Sequence, residues 1–136
     1  MKIKFDKSVV GYPLKKDIYN ISNNYKVFRH VLKSTKEKDP EAMFVIKFQL
    51  KNMNAKINKI FSLLPMCVLL CMKGFREKYY LTNYDTNECI GVYRWQSVED
   101  AKRYASSIAV EFMTKRSVEG SIHYKIFKGD ELICEF

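Results

Sequence analysis

Residues 74–104 read GFREKYYLTNYDTNECIGVYRWQSVEDAKRY, and this stretch decides the fold. Residues 76–83 and 89–96 are rich in Tyr, Ile, Val and Trp, which suit a pleated strand. The Tyr84-Asp85-Thr86-Asn87-Glu88 run between them carries the Asp and Asn of a short turn. The pattern predicts an antiparallel hairpin. With a five-residue loop Asn83 faces Cys89, and alternation then places Glu77, Tyr79, Leu81 and Asn83 on one face with Cys89, Gly91, Tyr93 and Trp95. Gly91 leaves a gap among these rings, either closed by packing against a helix or partner sheet or open as a cavity beside Tyr79 and Tyr93. Ser97-Val98-Glu99-Asp100 follows with an N-cap serine and two acids at the positive end of a helix dipole. Ala101, Tyr104, Ala105, Ile108 and Phe112 continue at helical spacing.

Outward from this centre, residues 42–50 (AMFVIKFQL) predict a strand with Phe44, Ile46, Phe48 and Leu50 on one face. Ile57, Ile60, Phe61, Leu64 and Val68 predict a helix that Pro65 kinks or divides and Gly74 ends. Residues 121–128 give a fourth strand, and Gly129-Asp130 turns the chain into a short last one at 132–136. From residue 41 the order is strand, helix, strand, strand, helix, strand. That is the α+β, ferredoxin-like βαββαβ order, with both helices on one face of a four-stranded antiparallel sheet. The other face is then bare, and a homodimer closed through the sheet faces is expected.

Residues 1–40 read as an N-terminal helical extension to a domain at 41–136. After a short strand with Ile3 and Phe5, residues 16–33 place Ile21, Tyr25, Phe28 and Leu32 on one helical face, and 34–40 lack apolar residues and end in Pro. The net charge is +9, and residues 1–40 hold ten Lys or Arg against four acids, so +6 of it lies there. A lysine-rich solvated surface accounts for this, and nucleic acid is not the expected partner. Four cysteines without a CxxC pair, and two histidines away from them, argue against a metal site and for free thiols in a reducing compartment. The first residues alternate charge with apolar side chains instead of building a signal peptide, so a cytoplasmic location is expected. The uncharged stretch 63–72 falls well short of the roughly 20 residues that cross a bilayer. It is expected to be buried in protein, with no membrane partner.

Four motifs carry a family resemblance: Gly74-Phe75-Arg76, Gly91-Val92-Tyr93-Arg94-Trp95, the Ser97–Tyr104 helix start and Arg116-Ser117-Val118-Glu119-Gly120-Ser121. Over residues 42–128 the chain resembles the YdhR-like monooxygenases of the dimeric α+β barrel superfamily, which also holds the antibiotic-biosynthesis monooxygenases. The resemblance implies a ferredoxin-like homodimer acting on a small aromatic or hydrophobic molecule without metal, flavin or other cofactor, in a dry pocket between sheet and helices. Tyr79, Tyr93 and Trp95 are the candidate walls beside Gly91, with Phe61 and Tyr104 reaching in from the helices. His123, the one imidazole of the domain, is the candidate base, and Arg76 or Arg94 the candidate partner for a phenolate or carboxylate. Haem-degrading relatives bind haem through a His on the second helix, and residues 97–114 contain none. A non-catalytic ligand-binding or stress-related dimer is the alternative, with RNA binding a distant third.

Overall fold

A computed structural model describes residues 2–14, 21–35 and 39–136. The chain runs β1 (Lys2–Phe5), β2 (Lys26–Ser34), β3 (Ala42–Gln49), α1 (Ala55–Phe61), α2 (Leu63–Cys71), β4 (Phe75–Asn83), β5 (Glu88–Trp95), α3 (Val98–Ala105), α4 (Ile108–Lys115), β6 (His123–Lys128) and β7 (Glu131–Glu135). The strands form one sheet in the order β1-β2-β4-β5-β3-β6-β7, antiparallel at every pairing. Its centre, β4-β5-β3-β6, is the expected ferredoxin-like arrangement. The sheet is nevertheless seven-stranded, because β2 and β1 extend one edge and β7 the other.

The helix expected over 16–33 is corrected for residues 26–33, which lie in β2; residues 15–20 fall outside the described part of the chain, as do 36–38 of the expected linker. The spacing of Tyr25, Phe28 and Leu32 suits a helix, but Val27, Phe28 and Val31 suit a strand equally well. The free edge of β4 decides between them, pairing Lys26 with Thr82 through Leu32 with Glu77.

The expected first helix breaks at Ser62, not at Pro65 itself. The proline ring would collide with the carbonyl four residues earlier, at Phe61, so α1 ends there and Pro65 takes the first turn of α2. Gly74, at φ +88°, brings the chain into β4 where a β-carbon would stand 2.2 Å from the Asp100 carboxylate. The second helix likewise divides at Ser106-Ser107 into α3 and α4.

Helices cover one sheet face, where Phe44, Ile46, Tyr93, Trp95, Leu69, Tyr104 and Ile126 form the main core. The second face is not bare as expected. Val27, Leu81, Ile90 and Val92 are buried there with Tyr25, and Val9, Leu14 and Ile21 pack against them. Gly11 N–H donates to Val27 O at 2.8 Å and Val27 N–H to Tyr12 O at 2.9 Å, which ties this cover to the sheet. The stretch 63–72 is also only half hidden: α2 buries Pro65, Met66 and Leu69 but exposes Leu63, Leu64 and Val68. Among the described residues no helix is long and apolar enough to cross a membrane.

Candidate functional site

The β4–β5 turn sets which side chains meet. Asn83 Oδ1 accepts from the N–H of Asp85 at 3.0 Å and of Thr86 at 3.3 Å, while Asn87 adopts a left-handed φ of 60°. These bonds close the loop over four residues, one fewer than expected, so Asn83 pairs with Glu88 and Thr82 with Cys89. A one-residue slip exchanges the faces of the whole strand. Tyr80 therefore lies opposite Gly91, Lys78 opposite Tyr93, and Tyr79 opposite Val92 on the second face.

On the helix-covered face the gap at Gly91 is filled from within. A β-carbon there would lie 2.7 Å from Tyr93 Cε1 and 3.2 Å from Ile46 Cγ2, so glycine admits the ring of Tyr93. The Tyr93 and Tyr104 hydroxyls hydrogen-bond at 2.8 Å, Phe44 meets both rings edge-on at 5.3 Å, and Trp95 packs on Tyr104 at 5.2 Å. The void left beside them is about 20 Å³, lined by Lys78, Tyr80, Cys89 and Arg116 among others; it has room for a water but not for an organic substrate. Lys78 Nζ lies 3.7 Å from the Tyr80 ring centroid and 4.3 Å from that of Tyr93. Burial holds its amine well below the ordinary lysine range, and the Arg29 and Arg116 charges add to this. Burial also pushes the Tyr80, Tyr93 and Tyr104 phenols up.

The second face is different. Between the N-terminal segment and the sheet lies a cavity of about 560 Å³, with Val9, Tyr12 and Leu14 on one side and Met43, Glu77, Tyr79, Val92 and Arg94 on the other. Glu77 Oε1 stands 2.6 Å from His30 Nε2 and Oε2 3.8 Å from Arg94 Nη1, while His30 Nδ1 lies 3.3 Å from Asp6 Oδ2. The His30 ring stacks on Tyr79 at 3.9 Å and 7°. Burial, then the neighbouring Glu77, raises the Tyr79 phenol to about 12. An aromatic plane, a carboxylate and a guanidinium thus share one apolar wall. A second groove of about 750 Å³ on the same face is lined by His123, Val45, Ile90, Phe127 and Phe136, among others.

The structure brings Tyr93, Trp95, Gly91 and Tyr104 together in closed core. Tyr79 is on the opposite face. Phe61 is 43% exposed on α1 and lines none of these spaces. Arg76 is the bulged residue of β4, its Nη1 donating to Gln96 Oε1 at 2.8 Å. His123 opens β6, two strands beyond the neighbour of β4, so the two candidate catalytic residues are at least roughly 14 Å apart at strand spacing and form no pair. Sequence reasoning missed the His30–Glu77 pair, because His30 fell in the stretch read as helix. It also missed Lys78, whose inward direction follows only from the register.

The fold is ferredoxin-like. Solved structures that share it include an uncharacterized ferredoxin-fold protein related to those monooxygenases from Listeria monocytogenes, with a TM-score of 0.60 and 13% identity over 79% of this chain and 64% of that one. A monooxygenase-like protein from Listeria innocua gives 0.60 and 16% over 79% and 64%, and a heme-degrading enzyme from Listeria monocytogenes 0.57 and 15% over 77% and 70%. The chain spans 64% of the length of the first two. Identities this low establish fold, not chemistry. No family model and no curated protein matches the sequence.

Proposed function

We propose that this chain holds a small aromatic or hydrophobic molecule on the second face of its sheet, in the cavity walled by Tyr79, Met43, Val92, Leu14, Glu77 and Arg94. The observation that carries this reading is the cavity itself. At about 560 Å³ it has the size and the mostly apolar lining of a small-molecule site, with two polar groups placed to orient a ligand. The helix-covered interior, at about 20 Å³, offers no comparable space.

Monooxygenase-like turnover is the fuller form of the same reading, supported by the superfamily fold and by Glu77. A hydroxyaromatic ligand stacked near Tyr79 gives a proton to the Glu77 carboxylate, which His30 and Arg94 hold in place. The resulting anion then donates electrons to molecular oxygen, the co-substrate. One oxygen atom becomes a carbonyl at a ring CH, giving a quinone, and the other leaves as water with that carbon's hydrogen and the proton held on Glu77. Pure binding, without turnover, is the simpler form. The 750 Å³ groove beside His123 is open outward with Val45, Ile90 and Phe127 on its walls, which fits closure by a second copy; light scattering at micromolar concentration tests that dimer.

Titration of the protein with anthrone-like and naphthol-like probes, following intrinsic fluorescence and oxygen uptake, tests the site. Tyr79→Ala and Arg94→Met are expected to weaken binding roughly tenfold without unfolding the chain. Unchanged affinity in both variants refutes the site. Binding with no oxygen uptake selects the non-catalytic form.

A further inference from the structure

The α1–α2 hairpin presents an apolar surface that the core does not use. On α2 every outward side chain is apolar or a thiol: Leu64, Cys67 and Cys71, flanked by Leu63 and Val68, are exposed opposite the buried Pro65, Met66 and Leu69. On α1 Ile57, Ile60 and Phe61 continue the surface, with Ile60 65% and Leu64 63% exposed. A helix apolar all round is stable in water only if something covers its outer side.

The charges around the surface indicate what covers it. No Asp or Glu occurs between Glu41 and Glu77, whereas Lys51, Lys56, Lys59 and Lys73 are all exposed there. Helical geometry puts Lys56 and Lys59 together on one flank of Ile60, with Ile57 and Phe61 on the other. The neighbouring α4 carries one exposed acid, Glu111, and Lys115 lies 3.6 Å from it. A second copy of this chain would set the same cationic rim against itself in a two-fold contact, with no carboxylate on the patch to answer it. A bilayer rich in acidic phospholipid offers both an apolar boundary and phosphates.

We propose that the α1–α2 hairpin docks on an anionic lipid surface. It lies in the headgroup plane with Ile60, Phe61, Leu64 and Val68 at the acyl boundary. Lys56 and Lys59 extend along that boundary to the phosphates. The contact is peripheral, with no segment crossing the bilayer. It is independent of the cavity on the second face.

Sedimentation of the full chain with vesicles tests this. Binding is expected to phosphatidylcholine vesicles containing phosphatidylglycerol, to weaken as salt rises, and to be slight with phosphatidylcholine alone. Each lysine near the surface contributes about fivefold in partitioning, so Lys56→Ala with Lys59→Ala is expected to cost roughly 25-fold and the arginine pair to restore it. Ile60→Ser with Leu64→Ser is expected to cost at least roughly tenfold. These side chains are exposed, so unchanged circular dichroism and melting separate lost docking from lost fold. No binding to anionic vesicles at low salt overturns the proposal, as does binding that both double variants leave unchanged. Self-association or capture of an acidic peptide that Ile60→Ser abolishes, without vesicle binding, assigns the surface to a protein partner instead.

Discussion

The two faces of the sheet are built from the same strands, yet one is closed and the other holds a cavity. Under the helices Phe44, Tyr93, Trp95 and Tyr104 are almost fully buried and leave about 20 Å³. Under the N-terminal segment the same sheet leaves about 560 Å³. The cover makes the difference. A helix satisfies its own backbone and can press side chains into the sheet, whereas an irregular segment must keep its polar backbone near water or tie it down point by point. Among the described residues the ties are single contacts: Asp6 to His30 through backbone and side chain, Gly11 and Tyr12 to Val27, and the Tyr25 hydroxyl to Glu88. The loosely covered face is therefore where a ligand enters without unpacking the core.

If this contrast is right, truncations on the two faces differ by several kcal/mol. Trp95→Ala or Tyr93→Ala should cost about 3–5 kcal/mol in urea unfolding, and Tyr79→Ala, partly exposed beside the cavity, about 1 kcal/mol or less. Gly91→Leu belongs with the first group: its side chain would be driven into the Tyr93 ring, so it should destabilise the fold outright instead of blocking a pocket. A Tyr79→Ala cost equal to that of Trp95→Ala would break the comparison.

Cys89 sharpens it through pH. Its thiol lies on the closed face, 3.1 Å from Thr82 Oγ1, and burial raises it from 9.0 to about 11. Below pH 9 both folded and unfolded chains keep the proton and the contribution is fully present. Between pH 9 and 11 the unfolded chain ionises first, so stability falls through that window by about 2–3 kcal/mol. Cys89→Ala should remove that part of the slope. An alkylating reagent at pH 8 should label the exposed Cys67 and Cys71 and spare Cys89; equal labelling of all three would show that the face opens readily.

The central fold was legible because its signals are local. The Ser97 cap accepts from Asp100 N–H as its position suggests, β3 alternates as Phe44, Ile46 and Phe48 require, and the strand-helix order selects one sheet arrangement. What failed depended on partners distant in sequence. β2 is a strand because β4 offers an edge, which no window around residues 26–34 contains. The site reading turned on a single loop residue: Asn83 and Asn87 close the turn early, and Tyr79 leaves Tyr93 for the other face. The cavity was not legible at all, since its walls come from residues 8–14 and from strands far away in sequence, between Met43 and Arg94.

Lys78 gives the smallest effect and the most specific check of the closed face. Lys78 is buried, its amine lies beside the Tyr80 and Tyr93 rings, and among the described residues no carboxylate pairs with it. Burial depresses the folded pKa below the ordinary 10.5. Above pH 10.5 both states are neutral and the amine costs nothing through titration. As pH falls below 10.5 the unfolded chain takes up a proton that the folded chain refuses, so stability drops until the folded pKa is reached. Lys78→Met keeps the length of the side chain and removes the titration. The variant should be more stable than the wild type at pH 7, and the two should converge as pH approaches 10.5. Urea midpoints measured at pH 7 and 10 decide it. A Met variant less stable at pH 7 would mean that the amine is charged and held by a partner on that face, and the closed interior would then have to be read as polar.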